Sequence, residues 1–91
     1  MFVSIVLDMG DKEGFKDVAD LLMQYGFERK LRNVFESLSV SETDLARLKR
    51  DIDRKTDFYD GVRMYQFPVD GTLAVTVLKE NKWRRLMVRR P

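Results

Sequence analysis

An α+β domain, with helices laid on one face of an antiparallel sheet, is the fold this sequence predicts. Three observations carry the prediction. The run Phe2-Val3-Ser4-Ile5-Val6-Leu7 is short, β-branched and aromatic, which favours a buried strand over a helix. Two later stretches repeat apolar residues at helical spacing, Phe15, Val18, Ala19, Leu22 and Tyr25, then Leu45, Leu48 and Ile52. The remaining apolar stretches are short and are bounded by Gly, Pro and Asp-Gly turn signals.

Taken in order, the first strand runs over residues 2–7 and ends at Asp8, a carboxylate at the rim of a buried element. Residues 10–14 form a loop rich in charge and glycine. The first helix follows, with Asp17 in its first turn, where a negative charge suits the dipole, and Gly26 as its C-cap glycine. Residues 27–39 are extended, but their apolar positions do not alternate cleanly. A bend near Arg32-Asn33 divides them into two short strands. Ser41 to Asp44 reads as a capping box opening the second helix, whose outer face mixes Arg47, Lys49, Arg50 and Arg54 with Asp51 and Asp53. Asp60-Gly61 is a turn. Residues 62–67 form a strand closed by Pro68, Asp70-Gly71 is a second turn, and Leu73, Val75 and Val77 alternate along a strand over residues 72–79.

This order, β-α-β-β-α-β with an additional C-terminal strand, is the ferredoxin-like pattern. Residues 1–79 form the domain, and residues 80–91 a basic C-terminal arm of it. Two helices cover one sheet face, and in so small a domain the other face is expected to be covered by a second copy, sheet packed on sheet in a homodimer. A chain of 91 residues is one domain with a thin core.

Composition removes whole classes of chemistry. There is no cysteine and no histidine, so disulfides, thiolate zinc sites, Ser-His-Asp triads and imidazole ligands are excluded. Any catalysis rests on carboxylates, Lys, Arg, Tyr or a hydroxyl, and any metal is a hard, oxygen-liking ion such as Mg²⁺ or Mn²⁺. No apolar run approaches the roughly 20 residues that span a bilayer. The first apolar stretch has no basic leader, so no signal peptide is expected and the cytoplasm is the expected compartment. Charge is uneven: Lys79, Lys82, Arg84, Arg85, Arg89 and Arg90 stand against Glu80 alone in the last thirteen residues, leaving residues 1–78 net acidic. A basic arm suits a polyanion or an acidic protein surface; alternatively it is a solubilising tail.

Four local patterns, in order, resemble the family of CRISPR-associated protein 2, the small dimeric partner of the CRISPR spacer integrase. They are the strand ending Asp8-Met9-Gly10-Asp11, the helix end Leu22-Met23-Gln24-Tyr25-Gly26-Phe27, the segment Asn33-Val34-Phe35-Glu36 and the strand Val62-Arg63-Met64-Tyr65. The resemblance implies the ferredoxin-like fold and a face-to-face dimer in which the strand over residues 72–79 reaches across to the partner. It implies an adaptor in spacer acquisition, binding duplex DNA and bridging integrase subunits. It also implies an alternative, a metal-dependent endonuclease acting on RNA or DNA, in which Asp8 of each protomer shares Mg²⁺ (or Mn²⁺) at the two-fold axis. A virulence-associated, toxin-like ribonuclease of the same fold is a third reading, less favoured by the Val-Phe-Glu and Val-Arg-Met-Tyr segments. Three positions depart from the family pattern: Phe15 where an arginine is common early in the first helix, Asn33 for serine, and Leu7 for an aromatic residue.

Asp8 is thus the candidate metal ligand and catalytic carboxylate, with Asp11 and Glu13 as further ligands or solvated loop residues. Its alternative role is to cap the following loop, as Asp does readily. Lys16, Arg29, Lys30 and Arg32 are the candidates for sequence-independent phosphate contacts; alternatively Arg29 or Arg32 forms a surface ion pair with Glu28 or Glu36. In the arm, Trp83, Arg84, Arg85, Leu86 and Val88 are the candidate partner-binding residues. Trp83 would be the aromatic anchor, and the apolar residues an edge strand added to the integrase; alternatively the segment pairs within its own dimer.

Overall fold

The computed structural model describes residues 1–88; Arg89 and Arg90, counted in the basic arm, lie outside the described residues. The described chain is α+β: β1 (Phe2–Asp8), α1 (Lys12–Gln24), β2 (Glu28–Leu31), β3 (Val34–Ser37), α2 (Glu42–Lys55), β4 (Gly61–Val69), β5 (Thr72–Lys79) and β6 (Lys82–Val88). The strands form one sheet in the order β2-β3-β1-β4-β5-β6, and every neighbouring pair is antiparallel. The ferredoxin-like core is present, and the bend at Arg32-Asn33 falls between β2 and β3.

Alternation sets the two faces of the sheet. Val3, Ile5 and Leu7 on β1 are buried beneath the helices, beside Phe35 on β3 and Val62 and Met64 on β4. Val18 and Leu22 of α1 and Leu48 and Ile52 of α2 close this core from above. The opposite face carries Phe2, Val6, Val34, Tyr65, Phe67, Leu73, Val75, Val77, Leu86 and Val88, and no helix covers it.

Three boundaries differ from the sequence reading. α1 begins at Lys12, because Asp11 is its N-cap and accepts a hydrogen bond from the Gly14 amide at 2.6 Å. Gly14 therefore lies inside the helix, and Glu13, not Asp17, occupies the acidic first turn. Pro68 does not close β4: the strand continues to Val69 across a register shift between Gln66 and Val69, and an irregularity of this kind tolerates proline. The largest difference is β6, since residues 82–88 pair with β5 throughout. A two-residue turn, Glu80-Asn81, makes the hairpin, with φ of 52° and 60°, the type I′ geometry that matches strand twist. The same geometry at Asp70-Gly71 joins β4 to β5. β5 is hydrogen-bonded on both edges within its own chain, so it is not the strand expected to cross to a partner.

α1 ends as its sequence demands. Gly26 has φ 88°, and the amides of Gly26 and Phe27 donate to the carbonyls of Met23 and Leu22, the paired bonds of a Schellman cap. Beside it the Tyr25 hydroxyl donates to Asp51 of α2 at 2.7 Å, tying the helices together. That bond, then burial, raises the Tyr25 pKa above its ordinary value. The folded state therefore favours the neutral phenol. The stabilisation is full below the ordinary tyrosine pKa and is lost as pH rises through the raised one. Tyr25→Phe is expected to cost about 1 kcal/mol at neutral pH and to remove this alkaline loss, as denaturant titrations at neutral and alkaline pH will show.

Candidate functional site

Asp8 is the last residue of β1. Its backbone is fixed by pairing with Gly61 of β4, where an added Cβ would meet the Asp8 Cβ and carbonyl at 3.6 Å. Two clamps hold the segment on either side. Before Asp8, the Leu7 amide donates to the Asn33 carbonyl at 2.9 Å, and the Asn33 side-chain amide donates to the Leu7 carbonyl at 3.2 Å. After it, the Gly10 amide donates to the Asp60 carboxylate at 2.8 Å, and the other oxygen of Asp60 accepts from the Asp57 amide at 2.9 Å. Asp60 is buried, so these bonds are shielded from water. Asp8 itself is exposed.

In the sequence, Asp60 stands out only as half of an Asp-Gly turn. An acidic residue just before a strand that pairs with the Asp8 strand is the available signal, but its reach to Gly10, fifty residues away, is tertiary. Asn33, which the sequence marks only as a departure from the family pattern, is the other clamp.

A cleft of about 610 Å³ opens beside Asp8, lined among others by Lys12, Phe15, Arg29 and Arg32. Phe15 packs against Phe35, with ring centroids 6.3 Å apart. The Arg29 guanidinium lies over both rings, 5.2 and 5.8 Å from their centroids. It also donates to the Arg32 carbonyl. A guanidinium thus reaches the cleft from β2 and is held there by cation–π contact with the Phe15–Phe35 pair. Lys12 lines the cleft as well, a residue that no sequence pattern singles out.

The four candidate phosphate-binding residues divide into two pairs. Arg29 and Arg32 share the cleft with Asp8. Lys16 and Lys30 stand outside it, each 2.8 Å from a carboxylate, Asp20 and Glu28 respectively. Among the described residues neither Arg29 nor Arg32 forms the ion pair with Glu28 or Glu36 that the sequence allowed for; Glu28 is taken by Lys30 instead. The Lys30 ammonium holds Glu28 below the usual carboxylate range. Exposed pairs of this kind contribute little to stability.

The residues of one chain do not fit a Mg²⁺ or Mn²⁺ site. Such an ion takes six oxygens in near-octahedral array. Among the described residues no three acidic side chains are grouped to hold a metal. The Asp11 carboxylate caps α1 and the Asp60 carboxylate binds two amides, which leaves Asp8 to supply a single ligand.

On β6 the candidate partner residues point two ways. Trp83 and Arg85 face the helices, and Trp83 is half-buried against the chain's own core. Arg84, Leu86 and Val88 lie on the uncovered face. The outer edge of β6 ends the sheet.

One helix-covered sheet face, one bare apolar face and a carboxylate fixed at the rim between them define a small ferredoxin-like α+β protein. The chain belongs to the family described as CRISPR associated protein Cas2, whose family model matches residues 1–73. Its role is accordingly CRISPR-associated. The match ends within β5, so the β5–β6 hairpin lies largely beyond it. Comparisons with curated proteins and with solved structures give no match. No helix among the described residues is long and apolar enough to cross a membrane.

Proposed function

We propose that two copies of this chain pack through the bare faces of their sheets, and that the cytoplasmic dimer serves CRISPR spacer acquisition as an adaptor that binds duplex DNA and bridges integrase subunits. The observation that carries this reading is the uncovered apolar face, which spans β1, β4, β5 and β6 and includes Phe67 and Leu86 at 48% and 56% exposure. A contiguous apolar surface of this kind on a small domain marks an interface. Arg29 and Arg32 of each protomer supply phosphate contacts, and the open edge of β6 offers backbone groups for an integrase strand. Asp8, in this reading, is a landmark at the rim of the interface rather than a catalyst.

The test is a reconstituted spacer-insertion assay with the cognate integrase and Asp8→Ala, beside duplex-binding titrations over a range of salt. Insertion is expected to survive the substitution. Loss of insertion while dimer and DNA binding persist would overturn the adaptor reading and give Asp8 a chemical role. Arg32→Gln is expected to weaken binding alike for all duplex sequences. It should also reduce the slope of log K against log salt by about 1 for each phosphate no longer neutralised, about 2 per dimer. An unchanged slope would remove Arg32 from the interface.

A further inference from the structure

Away from Asp8, a pocket of about 470 Å³ lies between α2 and the β4–β6 half of the sheet, on the helix-covered side. Lys49 and Arg50 of α2 and Arg85 of β6 line it, against the single carboxylate of Glu42. None of these three cations is in an ion pair among the described residues. The pocket also holds Gln66 of β4, which is 2% exposed and whose Nε2 has no hydrogen-bond partner among the described residues. Thr76, whose hydroxyl is likewise buried and unpaired, is the cross-strand neighbour of Arg85. Buried polar groups without partners are rare because leaving them unmade is costly. A buried amide donor without a partner and three unpaired cations lining one pocket suit a ligand rich in acceptor oxygens and negative charge.

We propose that this pocket binds a phosphate-type oxyanion, with the Gln66 amide donating from below and Lys49, Arg50 and Arg85 contacting it from the rim. Arginine and lysine differ in ways that suit the two parts of such a site, a planar fork from β6 and a compact ammonium from α2. Lys49 is half-buried; burial first, and then the Arg85 charge, lower its pKa from the ordinary value. A bound oxyanion opposes the second effect directly. Leu45 contributes an apolar wall, so the oxyanion can be free phosphate or the phosphate of a small organic molecule. The site is independent of the adaptor reading, since it lies on the face opposite the proposed dimer interface and uses none of its residues.

The test is an NMR titration of the intact chain with sodium phosphate, and separately with adenosine monophosphate, at ionic strength held constant with sodium chloride. The expected result is a saturable shift of the Gln66 side-chain amide and of Arg85. Lys49→Gln and Arg85→Gln should each weaken the apparent affinity by about tenfold with the melting temperature little changed, because Arg85 is exposed and Lys49 only half-buried. Tighter saturation by the nucleotide assigns an organic phosphate, and equal affinities assign the free ion. Shifts that fail to saturate, that chloride reproduces, or that both variants leave intact overturn the proposal.

Discussion

Replacing Phe67 and Leu86 together by glutamate is expected to turn a dimer into a folded monomer. Both side chains stand on the uncovered face and are about half exposed in the single chain, so the protomer gives up little by losing them. In the proposed dimer they are buried twice over, once per copy. Burying a Phe or Leu contributes roughly 1.5–3 kcal/mol, and the four glutamates would bring like charges into an apolar contact. The dimer dissociation constant should rise at least about a thousandfold, roughly 4 kcal/mol, with far-ultraviolet circular dichroism and melting cooperativity retained. Sedimentation equilibrium provides the measurement. A double variant that still sediments as a dimer would show that the sheet face is not the interface, and the adaptor reading would lose its main support.

The parts of this fold that are legible in the sequence are those set by local pattern. β1 is a continuous β-branched run, and α2 combines a Ser41 cap, whose hydroxyl accepts from the Asp44 amide at 3.1 Å, with a Leu45–Leu48–Ile52 stripe. The broken alternation over residues 27–39 reveals the β2–β3 turn because a one-residue change of register moves side chains to the other face. β6 reads as an arm because its charge masks its alternation. Trp83, Arg85 and Met87 face one way while Arg84, Leu86 and Val88 face the other, and Glu80-Asn81 lacks the glycine that usually announces a type I′ turn. Asp11, by sequence a metal ligand or a solvated loop residue, is a helix cap, a role signalled by its place ahead of a periodic apolar segment.

The site is less legible than the fold, and the reason is distance along the chain. Asp8 is visible as a strand-end carboxylate. What fixes it is Asn33 and Asp60, 25 and 52 positions later in the sequence numbering. Arg29 is identified by its charge. Its union with Phe15 and Phe35 depends on the β2–β3 hairpin folding over α1, which brings a β2 cation to the cleft that the helix lines. Phe15, Phe35 and the Arg29 guanidinium above them are one arrangement. The aromatic pair supplies a platform, and the guanidinium on it keeps a positive charge in the cleft that Asp8 also lines. Such a charge suits a phosphate contact as well as it suits hydrolysis, so its presence does not by itself argue for a nuclease.

Asp60→Ala is expected to be the most damaging single substitution outside the apolar core. The carboxylate satisfies two backbone amides, those of Gly10 and Asp57, from a buried position. Charge-assisted bonds of this kind are worth about twice neutral ones, and alanine would leave both donors without a partner, at about 1–3 kcal/mol for each that water fails to reach. For the two donors together that is about 2–6 kcal/mol, a large share of the stability of a small domain. Asp60→Asn keeps one acceptor oxygen but turns an NH₂ toward one of the two amides, so it should fall between alanine and the native residue. The diagnostic measurement is amide hydrogen exchange. Gly10 and Asp57 should lose protection in Asp60→Ala at conditions where Ile5 and Met64, paired at the centre of the sheet, retain theirs. Uniform loss across the sheet would mean that Asp60 supports global stability alone. Selective loss at Gly10 means that it sets the loop beside Asp8, and then Asp60→Ala should disturb whatever Asp8 does without removing Asp8 itself.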